Sequence, residues 1–234
     1  MITTHPRVRQ VMTTKPVTAR ETTTFKELVR LLTSNCIGAI PVVDGAGKLV
    51  GIVSETDLLI KEEYAGGELP KPNWLYESDR VDGLVAGDLM TWPVLTVRGA
   101  DSIAKAAHTM HEFGVRHLVV TGTGGRPVGM VSRSDLLSVY LRPDAEIREQ
   151  VVYGVADEML SIDPASITAD VADGVVTLSG RVPDGATADL LASVVRRVPG
   201  VVGVVDRLKA GRKQRSTGGW PYEPPPDVDG EAPR

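Results

Sequence analysis

The chain has 234 residues, 42% hydrophobic and 24% charged, with a formal net charge of −4, a balance that excludes wholesale disorder and a membrane-spanning class. Only 4% of residues are aromatic, so the core must rest on aliphatic side chains packed between sheets and helices. The acidic balance argues against bulk attraction to nucleic acid or anionic lipid and leaves room only for a local patch, and the single cysteine, Cys36, excludes an intramolecular disulfide and a cysteine metal cluster.

Residues 1–6 hold no apolar stretch of the signal-peptide kind, and no apolar run approaches the roughly 18 residues of a membrane span. The expected compartment is the cytoplasm. From residue 8 the dominant feature is an internal repeat at a shift of 78 residues. Val11-Met12-Thr13 recurs as Leu89-Met90-Thr91, and Ile40-Pro41-Val42 as Leu118-Val119-Val120. Gly51-Ile52-Val53-Ser54-Glu55-Thr56-Asp57-Leu58-Leu59 recurs as Gly129-Met130-Val131-Ser132-Arg133-Ser134-Asp135-Leu136-Leu137.

Each copy predicts a helix at 25–34 or 103–112, then a strand at 39–43 or 117–121. A glycine-bearing turn, a second strand at 49–54 or 127–132, and a closing helix from Glu55 or Arg133 follow. The turns, Asp44-Gly45-Ala46-Gly47 and Gly122-Thr123-Gly124-Gly125, supply the positive-φ positions of a hairpin. Ser54 and Ser132 stand at N-cap positions with Asp57 and Asp135 three residues on, an acidic form of the capping box. Cys36, in the run Asn35-Cys36-Ile37-Gly38, is read as a buried small hydrophobe.

Between the copies, residues 63–84 contain Gly66-Gly67, Pro70 and Pro72, which mark irregular structure. The cluster Trp74-Leu75-Tyr76 is expected to pin this linker onto the repeats or a second subunit. After Pro143 the pattern becomes a helix at 144–159, with Ile147, Val151 and Val155 at i, i+4 and i+8. Strands at 166–172 and 175–181 follow, joined by Asp173-Gly174, then a helix at 186–198 and a strand at 201–208. This αββαβ unit spans 144–209. The tail, 210–234, is rich in Pro, Gly and acidic residues and is expected to be disordered.

The repeated Gly-hydrophobic-Val-Ser-x-(Ser or Thr)-Asp-Leu element, with its preceding Met-Thr and apolar strand, resembles the CBS domain, here as a tandem pair (Bateman module). The repeats occupy 8–62 and 85–141. The αββαβ unit, with Gly180 in Leu178-Ser179-Gly180-Arg181-Val182 and Gly200-Val201-Val202-Gly203-Val204, resembles a BON domain. The expected fold class is therefore α/β (α+β), with two pseudo-symmetric β-α-β-β-α repeats packed as a pair, a small BON-like domain and a disordered C-terminal tail.

The CBS resemblance implies two clefts that commonly take AMP, ADP, ATP or related adenosyl ligands. Asp57 and Asp135 would accept the ribose hydroxyls, and Ser54, Thr56, Ser132 and Ser134 would meet phosphate. Ile52 and Met130, with the loops at Val17-Thr18 and Leu95-Thr96, would line the adenine slot. Repeat 2 carries Arg116-His117 and Arg133 where repeat 1 has Gly38-Ala39 and Glu55, which favours the Asp135 cleft for a phosphorylated ligand. A cap-only role for the two Ser/Asp pairs is the competing structural reading. The resemblance also implies a homodimer.

No nucleophile elbow, P-loop, dinucleotide-binding glycine pattern or zinc helix is present, so no catalytic residue is assigned and the chain is read as non-enzymatic. His5, His108 and His111 form no metal constellation, and no cofactor is obligatory beyond an adenine nucleotide as regulatory ligand. The expected function is a nucleotide sensor signalling through its dimer or BON contacts to an unidentified protein partner. The alternative is a ligand-independent scaffold or membrane- or envelope-associated adaptor acting through the BON unit and the basic run Arg207, Lys209, Arg212, Lys213, Arg215. Eleven Asp/Glu against six Lys/Arg over 144–209 oppose peripheral membrane contact, and the run lacks the interleaved aromatics that would stack on nucleic-acid bases.

Overall fold

The computed structural model describes residues 6–65 and 82–211, with the side chains of 63–65 outside that description. The readings made for Trp74-Leu75-Tyr76 and for most of the tail lie outside the described residues. Repeat 1 runs β1 (Thr13–Thr14), β2 (Ala19–Arg20), α1 (Phe25–Asn35), β3 (Ala39–Val43), β4 (Leu49–Ser54) and α2 (Glu55–Ala65). Repeat 2 runs α3 (Ala86–Leu89), β5 (Thr96–Val97), α4 (Ile103–Glu112), β6 (His117–Thr121), β7 (Pro127–Ser132) and α5 (Arg133–Leu137).

Local chemistry sets the helix limits. Thr24 and Ser102 cap α1 and α4 by accepting the amides of Glu27 at 3.4 Å and Lys105 at 3.2 Å. Leu28 and Leu32, one turn apart on α1, face the sheet and are buried. α1 stops at Cys36, which adopts a left-handed conformation (φ 52°) and returns its amide to the last turn. That geometry corrects the expectation for Cys36: its side chain is exposed, with Sγ 3.8 Å from the Thr33 carbonyl. The apolar neighbours belong to the core, but the helix-terminating twist turns the thiol outward.

β2 pairs in parallel with β3 and β5 with β6, while β3–β4 and β6–β7 form antiparallel hairpins, giving the sets β2-β3-β4 and β5-β6-β7. The repeats then exchange their leading segments. β1 pairs antiparallel with β7 (Thr13 opposite Met130), and Thr91 bridges to Ile52 in the same manner. Val8 is buried in the core of repeat 2, whereas Ala86 and Leu89 are buried in that of repeat 1. The exchange explains the glycine that opens each repeated motif. A Cβ on Gly129 would stand 2.8 Å from both Met12 Sδ and the Thr13 carbonyl oxygen, and one on Gly51 would strike the Met90 side chain.

The third unit has its own core. α6 (Asp144–Glu149) continues as a π-helix over Gln150–Met159, followed by β8 (Ile167–Ala172), β9 (Val175–Val182), α7 (Gly185–Val195) and β10 (Gly203–Ala210). The sequence spacing predicts one helix over 144–159; in the π-helical part, with more residues per turn, Val151, Val155 and the adjacent Ala156 are all buried. Asp173 and Gly174 have φ of 50° and 73°, the pair of positive angles a two-residue hairpin turn requires. The Asp144 carboxylate accepts both their amides at 2.8 and 2.9 Å and ties the helix to the hairpin. Arg142 joins this unit to repeat 2, donating through Nη1 to Gln150 Oε1 at 2.7 Å and to the Pro199 carbonyl at 2.9 Å.

Candidate nucleotide cleft

The exchange of leading segments builds a cleft of 380 Å³ with walls from both repeats. Repeat 2 supplies His117, Met130, Ser132 and Asp135; repeat 1 supplies Thr13 from β1, Lys15, Pro16 and Val17 from the loop after it, and residues 35–39 from the end of α1. Asp135 stands here because β7 runs directly into α5 and the capping box fixes its carboxylate. Oδ2 accepts from the Ser132 amide and hydroxyl, both at 2.7 Å, while the Asp135 amide donates to Ser132 Oγ at 3.3 Å. The cap therefore occupies one carboxylate oxygen. Among the described residues no group donates to Oδ1 of Asp135, which leaves both its lone pairs to a ligand.

The imidazole of His117 packs over Gly38, where a Cβ would come within 2.8 Å of its Cε1. Burial holds its pKa below the usual 6.5; Glu55 and Asp135 oppose that shift and Arg116 adds to it. A group that resists protonation in the folded state leaves the unfolded chain binding more protons below about pH 6.5. Stability is fully present above that pH and is lost as pH falls toward the depressed folded value. The expected result is a melting temperature that declines from pH 7 to pH 5.5, with His117→Asn flattening that part of the profile; identical profiles for the two proteins would contradict it.

The second acidic centre is arranged differently. Asp57 Oδ2 accepts from the Ser54 amide at 2.7 Å and hydroxyl at 2.6 Å, and its Oδ1 accepts from Thr91 Oγ1 at 3.2 Å. Asp57 is only 9% exposed, whereas Asp135 is half-buried. Thr13, the repeat counterpart of Thr91, makes no such bond to Asp135.

Of the residues singled out in sequence, His117, Met130, Ser132 and Asp135 meet in the open cleft. Ile52 and Ser54 accompany Asp57 at the other centre, half-buried. Ser134, Thr56, Thr18 and Thr96 are exposed and do not line the 380 Å³ cleft. Arg133 is turned away: its Nε and Nη2 donate to the Val115 carbonyl at 3.2 and 3.0 Å. Val115 and Arg116 are the repeat counterparts of Ile37 and Gly38, which line the Asp135 cleft. Neither arginine lines the Asp135 cleft; Arg133 lies instead beside Ala107, Met110 and His111 of α4. The cation that lines the Asp135 cleft is one the sequence reading passed over, Lys15, held at φ 53° in a conformation uncommon for a residue with a side chain.

Among the described residues no helix is long and apolar enough to cross a membrane, and no group of three His, Cys, Asp or Glu side chains could hold a metal ion.

The CBS domain model matches residues 8–63 and 86–142, and the BON domain model matches 143–212. A CBS domain-containing protein of Dictyostelium discoideum is 31% identical over 138 residues, covering 58% of this chain and 91% of that protein. The chloroplastic CBS domain-containing protein CBSX1 of Arabidopsis thaliana is 31% identical over 137 residues, 53% of this chain; the match spans 58% of the plant protein's length. The crystal structure of CBSX2, also from Arabidopsis thaliana, in complex with AMP is 28% identical and superposes with a TM-score of 0.52 over 58% of this chain and 97% of that chain.

Proposed function

Because the chain belongs to the CBS-domain family, with a BON domain following its CBS pair, we propose that it is a non-enzymatic regulatory protein whose Asp135 cleft binds an adenine nucleotide. The observation that carries this reading is the open Oδ1 of Asp135 in a cleft that also presents Lys15. A vicinal ribose diol needs two acceptor positions, which Oδ1 offers, and an adjacent phosphate needs a cation, which Lys15 offers. Met130, Pro16 and Val17 give the apolar wall an adenine ring requires. The related CBSX2, solved with AMP, supports the choice of AMP as the reference ligand.

The reading separates the nucleoside from its phosphate. Lys15→Ala is expected to weaken AMP about 10-fold, the loss of one charge-assisted contact, and to leave adenosine within about 2-fold. Titration calorimetry of both ligands against both proteins measures this. Equal losses for AMP and adenosine, or none for either, would contradict the phosphate role of Lys15.

Signalling in this reading passes through self-association or through the BON unit, and the chain works as a homodimer. Exposed Phe113, Leu137 and Leu141 at the helical end of repeat 2 supply apolar area for such a contact. One observation favours a second reading, an adaptor acting through the BON sheet. In the registers of β8, β9 and β10, Arg181 and Lys209 lie opposite each other with Arg207 two residues away, and all three are exposed on the sheet face turned from the helices. Removal of residues 144–234 distinguishes the readings: a sensor keeps its AMP affinity and an adaptor loses its partner.

A further inference from the structure

We infer that AMP binding is coupled to protonation of His117, so that the cleft gains a second phosphate-binding cation as the pH falls. This inference rests on the reading of the Asp135 cleft above. The imidazole lines that cleft with Lys15 and Asp135, and among the described residues neither of its ring nitrogens makes a hydrogen bond. A half-buried imidazole whose burial disfavours its charged form is neutral near pH 7 and has one donor and one acceptor to offer. A phosphate entering beside it favours the charged form, in which both nitrogens donate.

The surroundings of the ring come from both repeats. A Cβ built on Gly38 would stand 2.8 Å from Cε1 and 3.1 Å from Nε2 of His117, and 3.4 Å from Oε2 of Glu55. The glycine thus leaves a space that the imidazole shares with the first residue of α2. Burial, the largest influence, and the neighbouring Arg116 disfavour the charged ring, whereas Glu55 and Asp135, at the starts of α2 and α5, favour it. Lys15, on the loop after β1, and the Cys36 thiol, at the end of α1, are the other titratable groups of the cleft wall. With these influences opposed, a bound phosphate carrying up to about two charges decides the protonation state. Ala39, Arg116 and Arg133 occupy the places of His117, Gly38 and Glu55 in the other half of the pair, so the repeat does not reproduce the arrangement.

Calorimetric titration of the full chain with AMP and with adenosine, at about pH 5.5, 6.5 and 7.5 and in buffers of different ionisation enthalpy, tests the coupling. Measured relative to His117→Asn, the natural protein is expected to bind AMP about 10-fold tighter at the lowest pH than at the highest, taking up more protons per AMP than the variant. Comparing the two proteins at each pH cancels the titration of the nucleotide's own phosphate near about pH 6. Adenosine affinity relative to the variant should stay within about 2-fold throughout. Glu55→Gln, which keeps the imidazole and removes the charge beside it, should move the onset of the tightening to lower pH. Equal pH dependence in the natural protein and His117→Asn, proton uptake with adenosine equal to that with AMP, or an unmoved onset in Glu55→Gln would each overturn the coupling. Absence of any AMP binding to the natural protein would overturn the functional reading together with it, and so is told apart from failure of the coupling alone.

Discussion

Replacement of Asp135 by alanine is expected to weaken AMP binding about 100-fold, corresponding to two hydrogen bonds to a charged group at roughly 1.5 kcal/mol each. The same change removes the acceptor of the Ser132 amide and hydroxyl, so a stability loss of about 1 kcal/mol from the broken cap should accompany it. The two effects separate in practice. A cap-only role predicts a lower melting temperature with no change in affinity at saturating folded protein. Asp135→Asn keeps the shape and an acceptor oxygen but not the charge, and should fall between the natural protein and the alanine variant. Affinity within about 3-fold of the natural protein in Asp135→Ala, measured by calorimetry on folded material, would reduce Asp135 to a capping residue.

The second large effect falls in the BON unit and on stability. Gly180 sits at φ 116°, a region closed to residues with a side chain, and lies opposite Ile167 in the β8–β9 ladder. A Cβ there would stand 2.7 Å from Ile167 Cα and closer still to the Ser166 carbonyl oxygen. Both are backbone atoms at the entry to β8, so no flexible side chain can yield. Gly180→Ala is expected to cost about 3 kcal/mol, combining strain and overpacking. A domain of this size has roughly 4–10 kcal/mol in total. The C-terminal unit should therefore melt at a clearly lower temperature in a calorimetric scan, while AMP affinity stays unchanged because the cleft is built from other residues. An unaltered scan would contradict the packing described around Gly180.

The repeat made much of this architecture readable in advance. Alternating apolar residues and hairpin glycines placed β3, β4, β6 and β7, and the Ser-x-x-Asp spacing located Ser132 and Asp135 at a helix start. What the alignment of two copies could not convey is their crossing. It pairs residues of equal rank, whereas the fold sets the loop after β1 against the motif of the other repeat. Lys15, Thr13 and Gly38 therefore join a cleft whose acidic residue lies about a hundred positions away in sequence. The Arg133-for-Glu55 difference drew attention as a local gain of phosphate-binding charge, but a long side chain is free to choose its partner, and this one satisfies the Val115 carbonyl. The Thr91 hydroxyl reaches Asp57 across 34 residues of sequence, while its repeat counterpart Thr13 makes no such bond to Asp135, a contrast that composition and periodicity do not encode. Cys36 shows the same limit: an apolar neighbourhood describes a segment, while a left-handed helix end decides where one side chain points.

The proposed nucleotide role turns on the ribose diol meeting Oδ1 of Asp135. The direct test is calorimetric titration of the full chain with AMP and, in parallel, with 2′,3′-dideoxy-AMP, which keeps the base and phosphate and lacks both ribose hydroxyls. The account predicts saturable AMP binding and an analogue weaker by about 100-fold, the value also expected for Asp135→Ala. No AMP binding, or equal affinity for the two nucleotides, would contradict it.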